Sequence, residues 1–309
     1  MQVHRDLHTL PVFRNAVVTI GTFDGVHEGH RQIIQHLKLE AEKVKGETVI
    51  ITFHPHPRKI VSSTILGIRL INTLDERIRL LENAGVDHLV IVPFTAAFAN
   101  LSADDYIREF LVDRFHPHTV IIGYDHRFGK DRMGDYRLLE DQAGIYGFQL
   151  REIPKHILQE VSISSTKIRE AILHQEISLA NLLLGYTFFF TGKVVHGNKL
   201  GRQLGFPTAN LVVEDSEKII PGDGIYAVYV ELEGTGEKYK AMMSIGFRPT
   251  VDGKKRVIEV NIFDFEKEIY GQSLSVFVKQ YLRAEVKYDN IEDLVIQIGK
   301  DKTASLQVL

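Results

Sequence analysis

The segment Gly21-Thr22-Phe23-Asp24-Gly25-Val26-His27-Glu28-Gly29-His30 decides how the first half of the chain is read. It follows an apolar, β-branched run, Ala16–Ile20, and opens a stretch of helical period, His30–Lys45. Its glycines let the backbone turn tightly and approach a ligand closely. The free N–H groups of a helix N-terminus favour an anion there. His27 and His30, three apart, can lie on one helix face and point at the same phosphate. Imidazoles so placed donate hydrogen bonds to charge developing on a phosphoryl group without acting as nucleophiles. Two other readings compete: solvated loop histidines, and a two-histidine, one-carboxylate metal site of Asp24, His27 and His30. The strand-loop-helix context favours phosphate.

Outward from this loop, β-branched runs at Thr48–Phe53, His88–Pro93, Thr119–Ile122 and Phe148–Ile153 alternate with helical patterns. The helices are predicted at Leu74–Ala84, Ala103–Phe115 and Asp135–Tyr146. Such alternation predicts an α/β fold, a doubly wound parallel sheet with strands buried on both faces. Short helices are expected at Ser165–His174 and Leu179–Leu184. From Tyr186 the texture changes to strands without crossover helices: Phe188–Val195, Gly224–Glu231, Tyr239–Ile245, Val257–Phe263 and Leu274–Tyr281. These predict a small antiparallel β-barrel, closed by a helix over Ile291–Lys300. The domain boundary is placed near Gly185, giving domains 1–185 and 186–309.

Composition agrees with two domains. The chain has 309 residues, 44% hydrophobic and 25% charged, enough for two separate cores. Lys+Arg 37 against Asp+Glu 40 leaves a net charge of −3, without the basic surplus that a general grip on nucleic acid or an anionic membrane needs. Cysteine is absent, which excludes disulfides, thiolate metal sites and a cysteine nucleophile. No apolar run approaches the ~20 residues that span a bilayer, and the polar stretch Met1–Pro11 is no signal peptide. A cytoplasmic protein is expected.

Further segments gather around the same sheet edge. Ile163-Ser164-Ser165-Thr166-Lys167-Ile168-Arg169 is read as a helix start, with Ser164 or Ser165 as cap and Arg169 one turn in, its fork suited to phosphate oxygens. Gly123-Tyr124-Asp125-His126-Arg127-Phe128-Gly129 ends the fourth strand, on the rim where ligands of such sheets bind. Phe53-His54-Pro55-His56-Pro57 ends the second, its prolines stiffening a wall for a flat ligand. In the second half, Gly197-Asn198-Lys199-Leu200-Gly201-Arg202-Gln203-Leu204-Gly205-Phe206-Pro207-Thr208-Ala209-Asn210 is a glycine-rich loop, but not a Walker A loop. It combines flexible backbone, two cations and the Thr208–Asn210 pair, the parts that bind phosphates and supply oxygens to Mg²⁺. Glu259 sits in the strand Val257–Phe263, on the face of Val257, Asn261 and Phe263: either a paired edge carboxylate or a base for activating an alcohol.

The His-x-Gly-His pattern resembles the signature of the nucleotidyltransferase superfamily that includes class I aminoacyl-tRNA synthetases. Nearly the whole chain resembles the bacterial bifunctional riboflavin kinase/FMN adenylyltransferase family, through the glycine-rich loop, Ser164–Arg169, Ser244-Ile245-Gly246-Phe247-Arg248-Pro249-Thr250, Asp264-Phe265 with Tyr270-Gly271, and Tyr281-Leu282-Arg283. The resemblance implies a Rossmann-like adenylyltransferase domain that moves AMP from ATP to FMN, and a riboflavin kinase barrel that makes the FMN. It implies catalytic roles for His27, His30 and Arg169 in the first domain and for Glu259 as base in the second. ATP would contact Gly21, Thr22, Phe23, Asp24, Gly29, Asp125, Ser165 and Thr166, and in the barrel Lys199, Arg202, Thr208 and Asn210. Phe53, Pro55, Pro57 and Arg283 would serve the flavin. Thr208 and Asn210 would hold Mg²⁺. The implied partners are riboflavin, FMN and ATP, with FAD as product, and neither nucleic acid nor membrane.

Three positions depart from the family pattern: His126 for phenylalanine, Asn261 for histidine and Ala284 for proline. The nearest alternative is an FMN adenylyltransferase whose barrel binds flavin without kinase turnover. A tRNA-handling protein and a flavin-storage module are further rivals, disfavoured by the charge balance and by the two complete phosphate-handling sets.

Overall fold

The apolar runs of the first half form parallel strands in the computed structural model, which describes residues 1–61, 69–197, 200–250 and 253–309. These divide into two compact units, Met1–Ser165 and Thr166–Leu309.

Unit one contains β1 (Gln2–His4), β2 (Val17–Ile20), α1 (Glu28–Val44), β3 (Thr48–His54), α2 (Pro57–Val61), α3 (Leu74–Asn83), β4 (His88–Pro93), α4 (Ala96–Ala99), α5 (Ala103–Asp105), α6 (Asp113–Phe115), β5 (Thr119–Ile122), α7 (Tyr136–Tyr146) and β6 (Gln149–Glu152). A π-helical stretch, Tyr106–Val112, joins α5 to α6. Helix α8 (Lys155–Leu173) contains the division between the units. The strand order is β1-β4-β3-β2-β5-β6, every pair parallel. From β2 the chain winds outward through β3 and β4, then returns to the other side of β2 for β5 and β6. The order therefore reverses between β2 and β5, and in sheets of this kind ligands bind outside the carboxyl ends of the strands at such a reversal.

Alternation along the strands builds two cores. Val18, Ile20, Val49, Ile51, Val90, Val120 and Ile122 pack with Ile107, Phe110 and Phe115 on one face. Val17, Ile50, Leu89, Ile91 and Ile121 pack with Ile33, Ile34 and Leu37 of α1 on the other. Each fully buried aliphatic side chain contributes roughly 1.5–3 kcal/mol. Local chemistry sets the helix ends. Thr73 Oγ1 accepts from Glu76 N at 3.3 Å while Glu76 Oε2 accepts from Thr73 N at 3.0 Å, a capping box on α3.

Unit two holds α9 (Ile177–Leu184), β7 (Phe189–Val195), α10 (Leu200–Gln203), β8 (Ala209–Val212), β9 (Gly224–Leu232), β10 (Lys238–Thr250), β11 (Gly253–Ile262), β12 (Ser273–Arg283) and α11 (Ile291–Val308). Its strands close an antiparallel barrel in the order β10-β11-β8-β7-β12-β9. Full closure leaves no unpaired sheet edge.

Four expectations change. The helix placed at Ser165–His174 starts ten residues earlier, at Lys155, because Pro154 pre-sets the backbone at its start. Ser165 is therefore inside α8 rather than at its cap, and the Ser164 side chain lies outside the described residues. Pro57 opens the short helix α2 rather than ending a rigid loop. Strands β1 and β8, three and four residues long, exist through pairing with β4, and with β7 and β11, and carry too few residues to show a period. Helix α11 runs to Val308, not Lys300; its last turns bury Asp301 and Ser305, so the apolar period fades although the helix continues.

Candidate functional site

The loop after β2 lies at the carboxyl end of that strand, beside the point where the strand order reverses. Gly21 N donates to Ile51 O at 3.0 Å, so the ladder runs one residue past the strand before the chain turns. Phe23 and Val26 then take positive φ, 48° and 36°. A β-branched residue held there costs of order 1–3 kcal/mol and persists only where its surroundings impose it. The Asp24 carboxylate supplies that restraint. It is buried and accepts from Ile71 N at 2.9 Å and Asn72 N at 3.1 Å, tying the loop to the chain 47 residues on. Beneath it, buried Arg77 donates through Nη1 to Thr52 Oγ1 at 3.3 Å, and Thr52 Oγ1 donates to Thr22 O. Burial lowers the Arg77 pKa, against the opposing charge of Asp24. Nothing local in the sequence pointed to Arg77 or Thr52.

His27 precedes α1 in extended conformation, and His30 lies in its first turn. Their buried rings stack with centroids 3.9 Å apart, and His30 also packs on Phe23 at 5.1 Å. His27 Nε2 and Ser165 Oγ are 2.8 Å apart. Two segments separated by 138 residues thus meet, and Ser165 arrives from mid-helix. Thr166 and Arg169 follow on α8, exposed and half-buried, and Arg169 shares a face with Ser165 at i, i+4. Among the described residues no group of three or more His, Cys, Asp or Glu can hold a metal, so Asp24, His27 and His30 make no such site.

The loop after β5 forms the facing rim. Asp125 is exposed. His126 packs over Phe128 at 5.9 Å, and Phe128 stacks on Tyr106 of the π-helical stretch at 4.8 Å. Burial pushes the His126 imidazole down from 6.5 to about 4, partly opposed by Asp125. Phe53, at the end of β3, meets Phe94 edge-on at 5.4 Å and Phe98 at 5.7 Å. Pro55 and Pro57 stand beside it, both half-buried.

In the barrel, register makes the constellation. Asn210 on β8 lies directly opposite Glu259 on β11, which puts both on one face. The Asn261 amide, two residues on, donates to Pro207 O at 2.6 Å and so holds the chain next to Thr208. Thr208 and Arg202 line a pocket with Val194, Val260, Lys267 and Tyr270. A Cβ at Gly197 would overlap the Asn210 side-chain amide, so glycine leaves that amide where it stands while a larger residue would push it aside. Thr208 and Asn210 offer neutral oxygens in a cradle without an acidic cage, a donor set that fits a cation carried mainly by nucleotide phosphates. Lys199 lies outside the described residues. Arg283 faces inward: Nε and Nη2 pair with the two Asp301 carboxylate oxygens of α11 at 2.8 and 2.6 Å, and Nη1 donates to Ala284 O.

A doubly wound sheet with a histidine loop at its point of reversal, followed along the chain by a closed barrel, is an architecture suited to a two-unit transferase. Comparisons with known proteins agree. The FAD synthetase family model matches residues 10–167 and the riboflavin kinase model residues 184–309. The bifunctional riboflavin kinase/FMN adenylyltransferase of Haemophilus influenzae is 37% identical, over 97% of this chain and 97% of its own. That of Escherichia coli K12 is 36% identical over 98% and 96%, and that of Bacillus subtilis 37% over 94% and 92%. A crystal structure described as a macrolide-efflux protein from Streptococcus pneumoniae superposes with TM-score 0.84, 32% identity and 98% coverage of both chains. The chain belongs to the bifunctional riboflavin kinase/FMN adenylyltransferase family.

Proposed function

We propose that the chain makes FMN and FAD in two ATP-dependent steps, residues 186–309 phosphorylating riboflavin and residues 1–185 adenylylating FMN. One observation supports the reading: each unit brings together polar side chains suited to phosphate, the stacked rings of His27 and His30 in one and Asn210 opposite Glu259 in the other.

In the kinase step the 5′-hydroxyl oxygen of riboflavin attacks the γ-phosphorus, the bond to ADP breaks, and the hydroxyl proton passes to Glu259. Thr208 and Asn210 would hold Mg²⁺, which when bound neutralises charge on the phosphate oxygens. Arg202 and Lys199 would sit over the nucleotide. In the second step a phosphate oxygen of FMN attacks the α-phosphorus of ATP and pyrophosphate leaves, with no covalent intermediate. His27 and His30 would donate to the phosphates from one side and Ser165, Thr166 and Arg169 from the other. Gly21, Thr22, Phe23, Gly29 and Asp125 would line the nucleotide, with Asp24 acting through the loop it restrains. Phe53, Pro55 and Pro57 would border the flavin, and Arg283 would order the flavin side of the barrel through Asp301. The proposed compartment is the cytoplasm, where ATP is supplied.

Among the described residues no helix is long and apolar enough to cross a membrane. The test is to incubate the protein with riboflavin, ATP and Mg²⁺ and separate the flavins by chromatography. FMN followed by FAD is expected. FAD from added FMN, with riboflavin untouched, would reduce the barrel to a binding module.

A further inference from the structure

Glu259 is held from outside its own strand. Its register partner on β10 is Ser244, yet the contact comes from Arg248, four residues further along, whose side chain reaches back. Arg248 Nη2 donates to Glu259 Oε2 at 3.1 Å and lies 3.5 Å from Ser244 Oγ. Nη1 pairs with Glu285 in the strap that follows β12. Gly246 makes room for this, since a Cβ there would overlap the Glu285 carboxylate. The strap is anchored in turn, because Arg283 is locked to Asp301, which also accepts from Gln297 Nε2 at 2.9 Å. A path of ion pairs, joined between Arg283 and Glu285 by the strap backbone, therefore runs from α11 through Arg248 to Glu259.

Stability is a poor reason for this path. The side chains of Arg248, Glu285 and Glu259 are 39%, 30% and 27% exposed, and pairs so exposed contribute about 1 kcal/mol or less. Geometry is a better reason. A glutamate on a strand face has several staggered rotamers open to it, and Arg248 selects one by binding a single oxygen. Among the described residues Oε1 accepts no hydrogen bond and remains available. The guanidinium fork suits the task because its donors diverge in a fixed plane, so one arm can be anchored on Glu285 while the other restrains Glu259.

We propose that Arg248 is a positioning residue for riboflavin phosphorylation, holding Glu259 by Oε2 so that Oε1 meets the substrate hydroxyl, and that Glu285 sets how firmly Arg248 does this. The inference rests on the reading of Glu259 as the base. Steady-state kinetics of FMN formation by the full-length protein test both, with FAD formation from added FMN as the folding control. Glu259→Gln is expected to abolish the kinase. Arg248→Gln is expected to lower kinase kcat about tenfold, with both KM values within about twofold, and Arg248→Lys to return kcat to within about threefold of the parent. Glu285→Gln is expected to lower kcat about threefold, with no further loss in the Arg248→Gln background. Unchanged kcat in Arg248→Gln, with the kinase lost in Glu259→Gln, overturns the positioning role and leaves the base standing. A rise in KM at constant kcat makes Arg248 a substrate contact and overturns it too. Arg248→Lys as slow as Arg248→Gln overturns it in favour of a structural brace. An active Glu259→Gln removes the base reading, and the inference with it.

Discussion

At the residue scale, the histidine loop was legible because it is a chemical type at a fixed spacing next to a strand, whereas Asn210 and Glu259 were named separately, their roles through the family resemblance, and only the barrel register set them opposite each other. Partners were not legible. Asp24 belongs to the histidine loop, yet its carboxylate accepts hydrogen bonds from Ile71 N and Asn72 N, a choice that only the loop's fold dictates. His126 yields a pH prediction. Its imidazole sits at about 4 in the folded protein against 6.5 ordinarily, because burial penalises the cation. The unfolded chain therefore binds more protons as pH falls below 6.5, so stability is complete above that value and is lost progressively towards 4. Thermal unfolding of the parent should drop more between pH 7.5 and 5 than that of His126→Phe. Equal drops would show that His126 does not carry this dependence.

At the element scale, strands paired deep in the sheet were predicted to within a residue or two, since alternation between two cores is written in every Val and Ile. Short elements were not, because β1 and β8 draw their stability from neighbours distant in sequence. The approach of Gly197 to β8 makes a direct test. Gly197→Ala forces a methyl against the Asn210 amide and should cut riboflavin phosphorylation at least tenfold, roughly the cost of displacing a positioned group, while adenylylation of FMN continues. The α11 clamp makes another. Asp301 is buried and Arg283 mostly so. Asp301→Ala leaves the guanidinium without its carboxylate and should destabilise the protein by about 2 kcal/mol in denaturant titrations, less than for a fully buried pair because Arg283 is partly solvated. It should also slow the kinase, since the strap loses its anchor.

At the scale of the whole molecule, the separate phosphate-handling sets predict separable activities. Glu259→Ala should abolish FMN production and leave conversion of supplied FMN to FAD intact. His30→Ala should lower FAD formation by about a hundredfold, the scale of losing one donor to a developing charge, and spare the kinase. Assaying both steps on both variants checks the assignment, and parallel loss of the two activities would falsify the two-site reading. By itself the sequence determined the class of each half, the order of the halves, the absence of cysteine chemistry and the segments proposed to handle phosphate, because periodicity, composition and short motifs are local properties. The tertiary structure alone decided that Ser165 meets His27 from the middle of a helix, that Arg283 turns to Asp301, and that Arg248 rather than a strand neighbour holds Glu259. Such pairings depend on register and loop path, which are settled by long-range burial and hydrogen bonding between segments that carry no trace of one another in their residues.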